Sequence, residues 1–413
     1  MVCDLGMSPL CESFLTVDQL NQMERFYPLR ADVCTQCWLV QLERYVAPEE
    51  IFTEYAYFSS YSESWVQHAR DYTDMIIDRM GLGPGSLAVE LASNDGYLLQ
   101  HFVAAGVPVL GIEPARNVAA AAAERGVPTM TRFFGEELAA ELTAQGRQAD
   151  LVIANNVLAQ VPDLNSFVAG IKLLLRPGGV VTVEFPHLLR LMEGNQFDTI
   201  YHEHFSYFSF GTARRIFARH GLTVFDVEEL RTHGGSLRIY GRHADQSEPP
   251  PGGRVAELAE REAAAGLGTP APYLEFGDRV AETKRKLLEF LIRAKREGAR
   301  VAGYGAPGKG NTLLNYCGIR TDFLDYTVDR NPYKHHRFTP GTHIPIYPPS
   351  RLAETRPDYI LILPWNLKDE IMAQLSDALE WGPRFLVPIP EVTVYGEPLA
   401  DAAPPAAKGG SRK

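Results

Sequence analysis

Short apolar runs alternate with amphipathic stretches along the chain from about residue 86 onward. A short apolar run bounded by turn residues is typical of a buried strand, and apolar residues spaced by three and four are typical of a helix. We predict strands over Leu87–Leu91, Val107–Ile112, Leu151–Ala154 and Val180–Glu184, and helices over Ser64–Met80, Tyr97–Ala105, Val118–Arg125 and Phe167–Leu175. Strands that alternate with helices indicate βαβ units, so we expect a parallel, doubly wound sheet.

The same pattern starts a second time near residue 300. A predicted strand, Val301–Tyr304, runs into a glycine-rich loop at 305–310 and then into a helix from about Asn311. Further strands are predicted over Tyr326–Val328, Tyr359–Leu363 and Arg384–Pro388. Two such patterns in one chain predict two nucleotide-type domains, and therefore two ligands.

The fold class that we predict is α/β, with two doubly wound Rossmann-like domains and a small cysteine-containing N-terminal unit. A Pro/Gly-rich stretch at 248–253 is the clearest linker, and the Ala/Pro/Gly/Lys-rich end of the chain predicts disorder. We place the small unit at 1–47, the first α/β domain at 48–245, a linker with a helix at 246–290, the second α/β domain at 291–397 and the disordered tail at 398–413.

Composition narrows the class of protein. The chain has 413 residues, of which 45% are hydrophobic and 22% charged, as in ordinary soluble proteins. A formal net charge of -11 argues against a nucleic-acid partner, and no apolar run is long enough to span a bilayer. Five cysteines do not suggest a disulfide framework. We therefore expect a cytoplasmic protein, a monomer or weak homodimer, that acts on a small molecule.

The first predicted strand ends in an acidic turn, Glu90–Gly96, with one glycine. A turn that holds a pyrophosphate prefers G-x-G-x-x-G, so this turn suits a cationic ligand such as S-adenosylmethionine better. Glu113, at the end of the second strand, can accept both ribose hydroxyls, and Asn155 and Asn156 end the third strand. The alternative is an ordinary α/β domain with an acidic turn. The predicted cofactor-binding residues are Glu90, Ser93, Asn94, Asp95, Gly96, Tyr97, Glu113, Asn155 and Asn156.

A cluster of ionisable and hydroxyl side chains follows the fourth strand, at 198–209. Two histidines, His202 and His204, flank Glu203, but the H-E-x-x-H spacing of a zinc site is absent. A histidine next to a carboxylate suits removal of a proton from carbon beside a carbonyl. The alternative is a structural hydrogen-bond network. The segment Thr232–Ser236 is either a second part of the site or a structural turn.

The glycine-rich loop 305–310 lacks the order of a Walker motif. Such a strand-to-helix turn still offers backbone N–H groups to an anion, and Lys309 adds a positive charge. Residues 329–334 follow the next strand, where they can reach a base or ribose, and Pro364–Asn366 can border the same pocket. The alternative is a tight turn without a ligand.

These motifs together resemble the sugar C-methyltransferases that act on thymidine-diphosphate-linked 4-keto-6-deoxy sugars. The matching segments, spread over residues 5–395, are Tyr55–Ser62, Glu90–Gly96, Asn155–Asn156, Tyr201–His204, Thr232–Ser236 and Gly303–Thr312. The resemblance implies a zinc-binding N-terminal unit, a central S-adenosylmethionine-dependent methyltransferase domain and a C-terminal Rossmann-like domain that holds the nucleotide of the substrate.

The resemblance also assigns roles to single residues. It implies that Tyr55, Tyr201, Glu203 and His204 line the active site, with His204 as the base steered by Glu203. The predicted substrate-binding residues are Tyr57, His233, Gly305, Ala306, Lys309, Asn311, Asp329, Arg330 and Lys334. The reaction that follows is methyl transfer from S-adenosylmethionine to C3 of the sugar through an enolate. Methylation at C5 or of another keto substrate, an NAD-linked oxidoreductase and a nucleotide-sugar-binding regulator are the alternatives.

Two departures from the family pattern affect these expectations. Family members carry two C-x-x-C pairs for zinc, whereas only Cys34 and Cys37 match here. We expect that the first pair precedes Met1 and is missing; the alternative is that zinc is absent. Gln160 stands where the family has a histidine, so no proton transfer is expected at that position and more of the chemistry falls to His204.

Overall fold

A computed structural model describes residues 1–52, 58–378 and 380–396 of the chain. The chain divides into two compact units. The first comprises Met1–Ser13 with Glu24–Glu282, and the second comprises Phe14–Met23 with the residues from Thr283 onward. The short segment Phe14–Met23 therefore leaves the unit that surrounds it in sequence, which no periodicity in the chain predicts.

The first unit is built on a large mixed sheet. Its described strands are β4 (Ala88–Leu91), β5 (Val109–Ile112), β6 (Thr129–Met130), β7 (Ala149–Asn155), β8 (Leu175–Pro186), β10 (Leu222–Leu230) and β11 (Ser236–His243). Strands β10 and β11 form an antiparallel pair at one edge. The order across the sheet is β10-β11-β8-β7-β4-β5-β6, and the five strands from β8 to β6 are parallel. The predicted parallel strands are confirmed; the antiparallel pair was not predicted.

Helices cover both faces of this sheet. The helices described in the first unit are α1 (Pro48–Phe52), α2 (Glu63–Met80), α3 (Leu99–Ala104), α4 (Arg116–Glu124), α5 (Glu136–Ala144), α6 (Leu164–Leu174), α7 (Leu188–Glu193), α8 (Phe210–Arg219) and α9 (Gly253–Ala264). Helix α10 (Ala271–Arg296) contains the division between the units. Local chemistry sets the ends of α2, because the Ser62 hydroxyl accepts the Trp65 amide at 3.3 Å and Gly81 adopts a left-handed φ of 64°.

Alternate residues of the central strands enter two different apolar clusters. In β7, Val152 and Ala154 belong to one cluster, while Leu151 and Ile153 belong to the other. All four side chains are fully buried. Because successive side chains of a strand point to opposite faces, a strand covered on both faces reads as a continuous apolar run. This is why the central strands were visible in the sequence.

A small antiparallel sheet precedes the large one in the chain. Its order is β1-β2-β3-β9, made of β1 (Cys3–Ser8), β2 (Tyr27–Val33), β3 (Val40–Leu42) and β9 (Ser206–Tyr207). Strand β9 begins two residues after His204, so the N-terminal unit predicted at 1–47 shares a sheet with part of the predicted catalytic cluster at 198–209. The Leu42 amide also donates to the Phe205 carbonyl at 3.0 Å.

The stretch predicted as a linker with a helix, 246–290, differs in the structure. Helix α9 begins at Gly253 and packs against α8 and β10, within the first unit. Its buried face carries Val255, Leu258 and Glu262. The sequence of α9 is charged and rich in alanine, which is also typical of a linker helix. One apolar stripe is nevertheless enough to pack such a helix against its domain.

The second unit contains a smaller sheet in the order β14-β13-β12-β15-β16-β17. Its described strands are β12 (Val301–Tyr304), β13 (Thr327–Val328), β14 (Ile346–Tyr347), β15 (Tyr359–Ile362), β16 (Arg384–Val387) and β17 (Thr393–Tyr395). All pairs are parallel except β16 with β17. The helices are α11 (Gly308–Cys317), α12 (Arg351–Thr355) and α13 (Lys368–Ala378). The second predicted α/β pattern is thereby confirmed.

Candidate functional site

The acidic turn lies at the carboxyl end of β4, next to β5. The amides of Ala92 and Ser93 both donate to the Ile112 carbonyl, at 2.7 and 3.2 Å. Ala92 and Asn94 have left-handed φ angles of 57° and 47°, as does Gly96 at 76°. A sharp turn of this kind aims successive side chains at the sheet edge, where ligands bind in open α/β sheets.

Gly96 is required by packing as well as by its φ angle. A Cβ atom at this position would lie 3.2 Å from the Ala122 Cβ and 3.1 Å from the Val127 Cγ2. The turn therefore rests directly on α4, and any side chain at Gly96 would push the two apart.

Glu113, the residue after β5, stabilises the acidic turn by a hydrogen bond to its backbone. Its two carboxylate oxygens accept the amides of Asn94 at 2.9 Å and Ala115 at 2.8 Å. Burial raises the pKa of Glu113, while these two hydrogen bonds oppose the rise. The side chain lies at the end of the second parallel strand, where an acid was predicted. Both of its oxygens accept hydrogen bonds from backbone amides.

Glu90 is buried in β4 itself. Burial, followed by the charges of Glu113 and Asp95, raises the pKa of Glu90 well above its usual range. Its Oε2 atom has no hydrogen-bond partner among the described residues. A cation placed beside these acids would stabilise their charged forms, which is the electrostatic argument for a sulfonium-bearing ligand.

Several more buried polar atoms at this edge have no hydrogen-bond partner within the described part of the chain. They are Ser93 Oγ, Asp95 Oδ1, Asn155 Oδ1 and both side-chain polar atoms of Asn156. Unpaired buried polar atoms are rare, and each needs an explanation such as a ligand. Their convergence at the ends of β4 and β7 fits the polar groups of S-adenosylmethionine.

The turn is also bonded to the segment just before α2. The Asn94 side-chain oxygen accepts the Ser59 amide at 3.0 Å, and Asp95 Oδ2 accepts the Ser60 amide at 3.3 Å. Arg125 pairs with the Asp95 carboxylate at 3.1 Å and donates to the Ser60 hydroxyl at 2.8 Å. Sequence reasoning missed Arg125, because it follows an alanine-rich helix and matches no motif.

The predicted base, His204, lies in the loop before β9. Its Nδ1 atom is 3.1 Å from the Thr199 carbonyl oxygen. A carbonyl only accepts hydrogen bonds, so Nδ1 carries the proton in neutral His204 and Nε2 has the lone pair. The ring of Tyr201 lies 4.2 Å away, centroid to centroid. The structure therefore brings Tyr201 and His204 together.

His202 and Glu203, which lie between Tyr201 and His204, contact the N-terminal part of the chain. Glu203 is buried, and its Oε1 atom accepts a hydrogen bond from the thiol of Cys11 at 3.6 Å. His202 Nε2 lies 3.1 Å from the Pro28 carbonyl, and burial lowers the pKa of His202. Burial, with Cys11 and Glu203 nearby, raises the pKa of Tyr201 well above its usual range, so its phenol stays protonated. The contact with Cys11 joins residues 192 positions apart and has no sequence signal.

Two predicted residues, Tyr55 and Tyr57, lie outside the described residues. His233 is described, and it has a left-handed φ of 53° in the turn between β10 and β11. The ring of Trp65, on α2, lies 5.0 Å from the ring of His233 and 6.1 Å from that of Tyr97, the residue after the acidic turn. The segment Thr232–Ser236 thus lies near the cofactor turn.

The cysteine pair lies on the turn between β2 and β3. Hydrogen bonds from the amides of Cys37 and Gln36 lower the pKa of Cys34, whereas burial raises that of Cys37. Burial, with Asp4 and Asp32 nearby, raises the pKa of Cys3 to about 12. The described residues contain no group of three or more histidines, cysteines or acids able to hold a metal. A structural zinc takes four ligands, of which Cys34 and Cys37 would supply two.

The glycine-rich loop of the second unit is bonded to the next strand end. Asp329, after β13, accepts the Ala306 amide at 2.7 Å. The Ala306 carbonyl accepts from Lys334 at 2.8 Å. At Gly305, φ is 85° and a Cβ atom would lie 2.6 Å from Pro364 Cδ. The loop is thus a tight turn with its acid in the position of a ribose-binding residue.

The remaining predicted substrate residues surround this loop. Lys309 donates to the Asn366 side chain at 2.9 Å and lies 4.7 Å from the centroid of the Trp365 ring. Asn311 is buried in the first half of α11, and Arg330 is exposed. Lys309, predicted as a charge for phosphate, is therefore hydrogen-bonded to a neutral amide in this structure.

Three family models match consecutive parts of the chain. The "Putative zinc binding domain" model matches residues 1–52, the "Methyltransferase domain" model 66–227, and the "C-methyltransferase C-terminal domain" model 231–390. The first model supports zinc in this family, while the described residues supply the two thiols noted above. In the described part of the chain, no helix is both long and apolar enough to cross a membrane.

Similar proteins are also found among curated sequences and solved structures. The C-methyltransferase NovU of Streptomyces niveus is 38% identical over 395 residues, which is 95% of this chain and 93% of NovU. The ubiquinone biosynthesis O-methyltransferase of Methylobacterium sp. (strain 4-46) is 35% identical over 107 residues, 24% of this chain and 42% of that protein. The structure of magnesium protoporphyrin IX methyltransferase from Synechocystis with bound SAM is 17% identical, with a TM-score of 0.33 over 43% of this chain and 81% of that one.

Proposed function

The chain belongs to the S-adenosylmethionine-dependent C-methyltransferases, and from this membership we propose that it methylates C3 of a nucleoside-diphosphate 4-keto-6-deoxy sugar. The observation that carries the proposal is the orientation of His204. Its Nδ1 atom donates to the Thr199 carbonyl at 3.1 Å, which leaves the Nε2 lone pair as a base. A carbon nucleophile requires loss of a proton from carbon, and the carbon beside a ketone is where a histidine can remove one.

Proton removal from C3 turns the C4 ketone into an enolate, whose oxygen needs a hydrogen-bond donor. Tyr201 lies beside His204 and keeps its proton, because burial raises the pKa of its phenol. A neutral phenol fixed near the base can donate to the developing oxyanion, as an oxyanion hole does. Tyr55 was predicted for the same role and stays a prediction.

S-adenosylmethionine, when bound, supplies an electrophilic methyl group on a sulfonium. The residues that would hold it are those of the acidic turn, Glu113 and the Asn155–Asn156 pair. Glu90 and Asp95 supply negative charge opposite the cation, and the unpaired polar atoms of Asn155 and Asn156 can bind the polar ends of the ligand. Holding both reactants in a fixed geometry contributes much of the rate.

The nucleotide of the substrate is proposed to bind the second unit. The amides that open α11 and the charge of Lys309 suit a diphosphate. Asp329 lies in the position from which an acid reaches ribose hydroxyls. Arg330 is exposed and Lys334 partly so, and both add positive charge around the loop.

The test is substitution His204→Asn with the keto-sugar in deuterium oxide and without S-adenosylmethionine. We expect wild-type enzyme to exchange the C3 proton and H204N to lose the exchange by at least 100-fold, while its affinity for S-adenosylmethionine is unchanged. The matched variant His202→Asn should keep the exchange, since His202 faces the Pro28 carbonyl. NMR locates the deuterium.

Exchange that continues in H204N would remove His204 as the base. Deuterium at C5 in place of C3 in the wild-type reaction would move the methylated carbon to the other side of the ketone and leave the base assignment intact.

A further inference from the structure

A buried acid, Glu184, lies at the carboxyl end of β8. Its side chain is 0% exposed and accepts hydrogen bonds from three elements. His68 of α2 lies 3.0 and 3.1 Å from the two carboxylate oxygens, the Thr232 hydroxyl donates at 3.0 Å, and Arg238 of β11 donates at 2.9 Å. We call these four residues the Glu184 network.

The charge of Glu184 is held inside the fold by this network. Burial alone would raise the pKa of the carboxyl, but the hydrogen bond from His68 and the charge of Arg238 outweigh it, so the pKa lies below its usual range. A buried carboxylate is costly unless it is paired and hydrogen-bonded. Glu184 is therefore kept ionised by partners from α2, from β11 and from the Thr232–Ser236 turn.

The network reaches His233 by two separate routes. Thr232, which donates to Glu184, immediately precedes His233 in the chain. His68, which contacts both oxygens of Glu184, lies 4.9 Å from the Trp65 ring, and Trp65 lies 5.0 Å from His233. His233 has a left-handed φ of 53°, a conformation that persists only where its surroundings hold it.

The same network touches the cofactor edge. Glu184 is paired with Asn155 in the β7–β8 ladder, and its carbonyl accepts the Asn156 amide at 2.7 Å. Glu184 therefore stands between the asparagine pair on one side and the Thr232–Ser236 turn on the other. The backbone of Glu184 makes the contacts to the asparagine pair and its side chain makes the contact to the turn, so a substitution that changes only the side chain acts on the turn.

We propose that Glu184 is a positioning residue, which holds the Thr232–Ser236 turn and His233 against the methyl-transfer edge of the sheet. His233 then contacts the acceptor substrate in a fixed orientation, so this part of the inference rests on the proposed function. Glu184 itself touches no reacting atom. Its role is to fix where the acceptor sits relative to the methyl donor.

The test is Glu184→Gln, which keeps the shape of the side chain and removes its charge. We expect the KM for the keto-sugar to rise about tenfold, because hydrogen bonds to a charged acceptor are lost, while the Kd for S-adenosylmethionine changes less than threefold. In NMR spectra of enzyme with labelled histidines, the His233 ring signal should shift, since its position relative to the Trp65 ring changes.

Glu228→Gln is the matched control. Glu228 also accepts from Arg238, at 3.3 Å, but its other described partners are Tyr240 and Arg254. The control should leave both the KM and the His233 signal near their wild-type values. Thr232→Val is the second variant, which removes one donor to Glu184 and should shift the same signal with a smaller rise in KM.

The proposal is overturned if E184Q and T232V leave the His233 signal unmoved, or if E228Q moves it as much. An equal loss of affinity for S-adenosylmethionine and keto-sugar in E184Q would also overturn it, since that result indicates general loosening. If wild-type enzyme does not turn over the keto-sugar, the proposed function fails, and the NMR comparison still decides the position of His233.

Discussion

At the scale of single residues, Glu90 shows how position changes the meaning of an acid. In sequence it is a charged side chain at the end of an apolar run. In the fold it is 1% exposed, and burial together with Glu113 and Asp95 favours its neutral form. Burial of this acid lowers the stability of the ligand-free protein, and a cationic ligand offsets that loss.

Replacement of Glu90 by Gln should therefore stabilise the ligand-free protein. An unfolded glutamate ionises above its ordinary pKa of about 4.3, whereas buried Glu90 does not, so the wild-type protein loses stability as pH rises above that value toward the raised pKa. Gln does not titrate, and E90Q should gain about 1–2 kcal/mol at pH 8 and little at pH 4. Thermal unfolding at the two pH values measures the difference.

The same variant should bind S-adenosylmethionine about tenfold more weakly, because the negative charge opposite the sulfonium is gone. Glu124→Gln, an exposed acid on α4, serves as the control and should change neither quantity. A destabilised E90Q with unchanged affinity would show that Glu90 has a structural role only.

Some residues of the site could be predicted from the sequence and others could not. Glu90, Glu113 and His204 were identified because each sits beside a recognisable turn or motif. Glu184 and Arg125 were missed as functional candidates because their partners are distant in sequence. Glu184 contacts His68, 116 residues away, and Arg125 contacts Ser60, 65 residues away. Periodicity and spacing report on neighbours within a turn or a strand, and hydrogen bonds over such separations leave no local pattern.

At the scale of elements, one buried acid adds a polar joint between α9 and α8. Glu262 accepts the amides of Phe210 and Gly211, at 2.6 and 2.8 Å, and lies 2.7 Å from the Nε2 atom of His187. The two amides belong to the first turn of α8, where N–H groups lack partners within the helix. One carboxylate thus joins α9 to the start of α8.

Removal of this acid should loosen the joint between the two helices. Glu262→Ala leaves two amides of α8 without their acceptor in a buried site, at a cost of about 2–4 kcal/mol. Amide hydrogen exchange should become faster at Phe210 and Gly211, and the urea midpoint should fall. The exposed Glu260 of the same helix is the control, and E260A should change neither. Unchanged exchange in E262A would assign the docking of α9 to Val255 and Leu258 alone.

At the scale of the whole molecule, the two units hold different parts of the predicted machinery. The acidic turn, the asparagine pair and the His204 cluster belong to the first unit, and the glycine-rich loop with Asp329 belongs to the second. A ligand stabilises the unit that binds it by mass action.

S-adenosylhomocysteine should therefore slow hydrogen exchange in the first unit, and thymidine diphosphate should slow it in the second. At a ligand concentration 100 times the Kd, the expected stabilisation is about 2.7 kcal/mol in the unit concerned. NAD is the control. It should not protect the first unit, because the acidic turn lacks G-x-G-x-x-G. The second unit carries that spacing at Gly303, Gly305 and Gly308, and we expect no protection by NAD there either, since the chain belongs to the C-methyltransferases. Protection of the second unit by NAD would restore the oxidoreductase alternative.

The sequence alone determined the α/β class, the parallel strands, the acidic turn and the family. These features depend on apolar periodicity and on residues that are adjacent in the chain, so they can be predicted from the sequence. Only the tertiary structure decided that Phe14–Met23 leaves its sequence neighbours, that β9 joins the small sheet, and that Glu184 connects α2, β8 and β11. Each of these depends on pairing between distant segments, which is set by the packing of the whole chain and by the need to partner every buried charge.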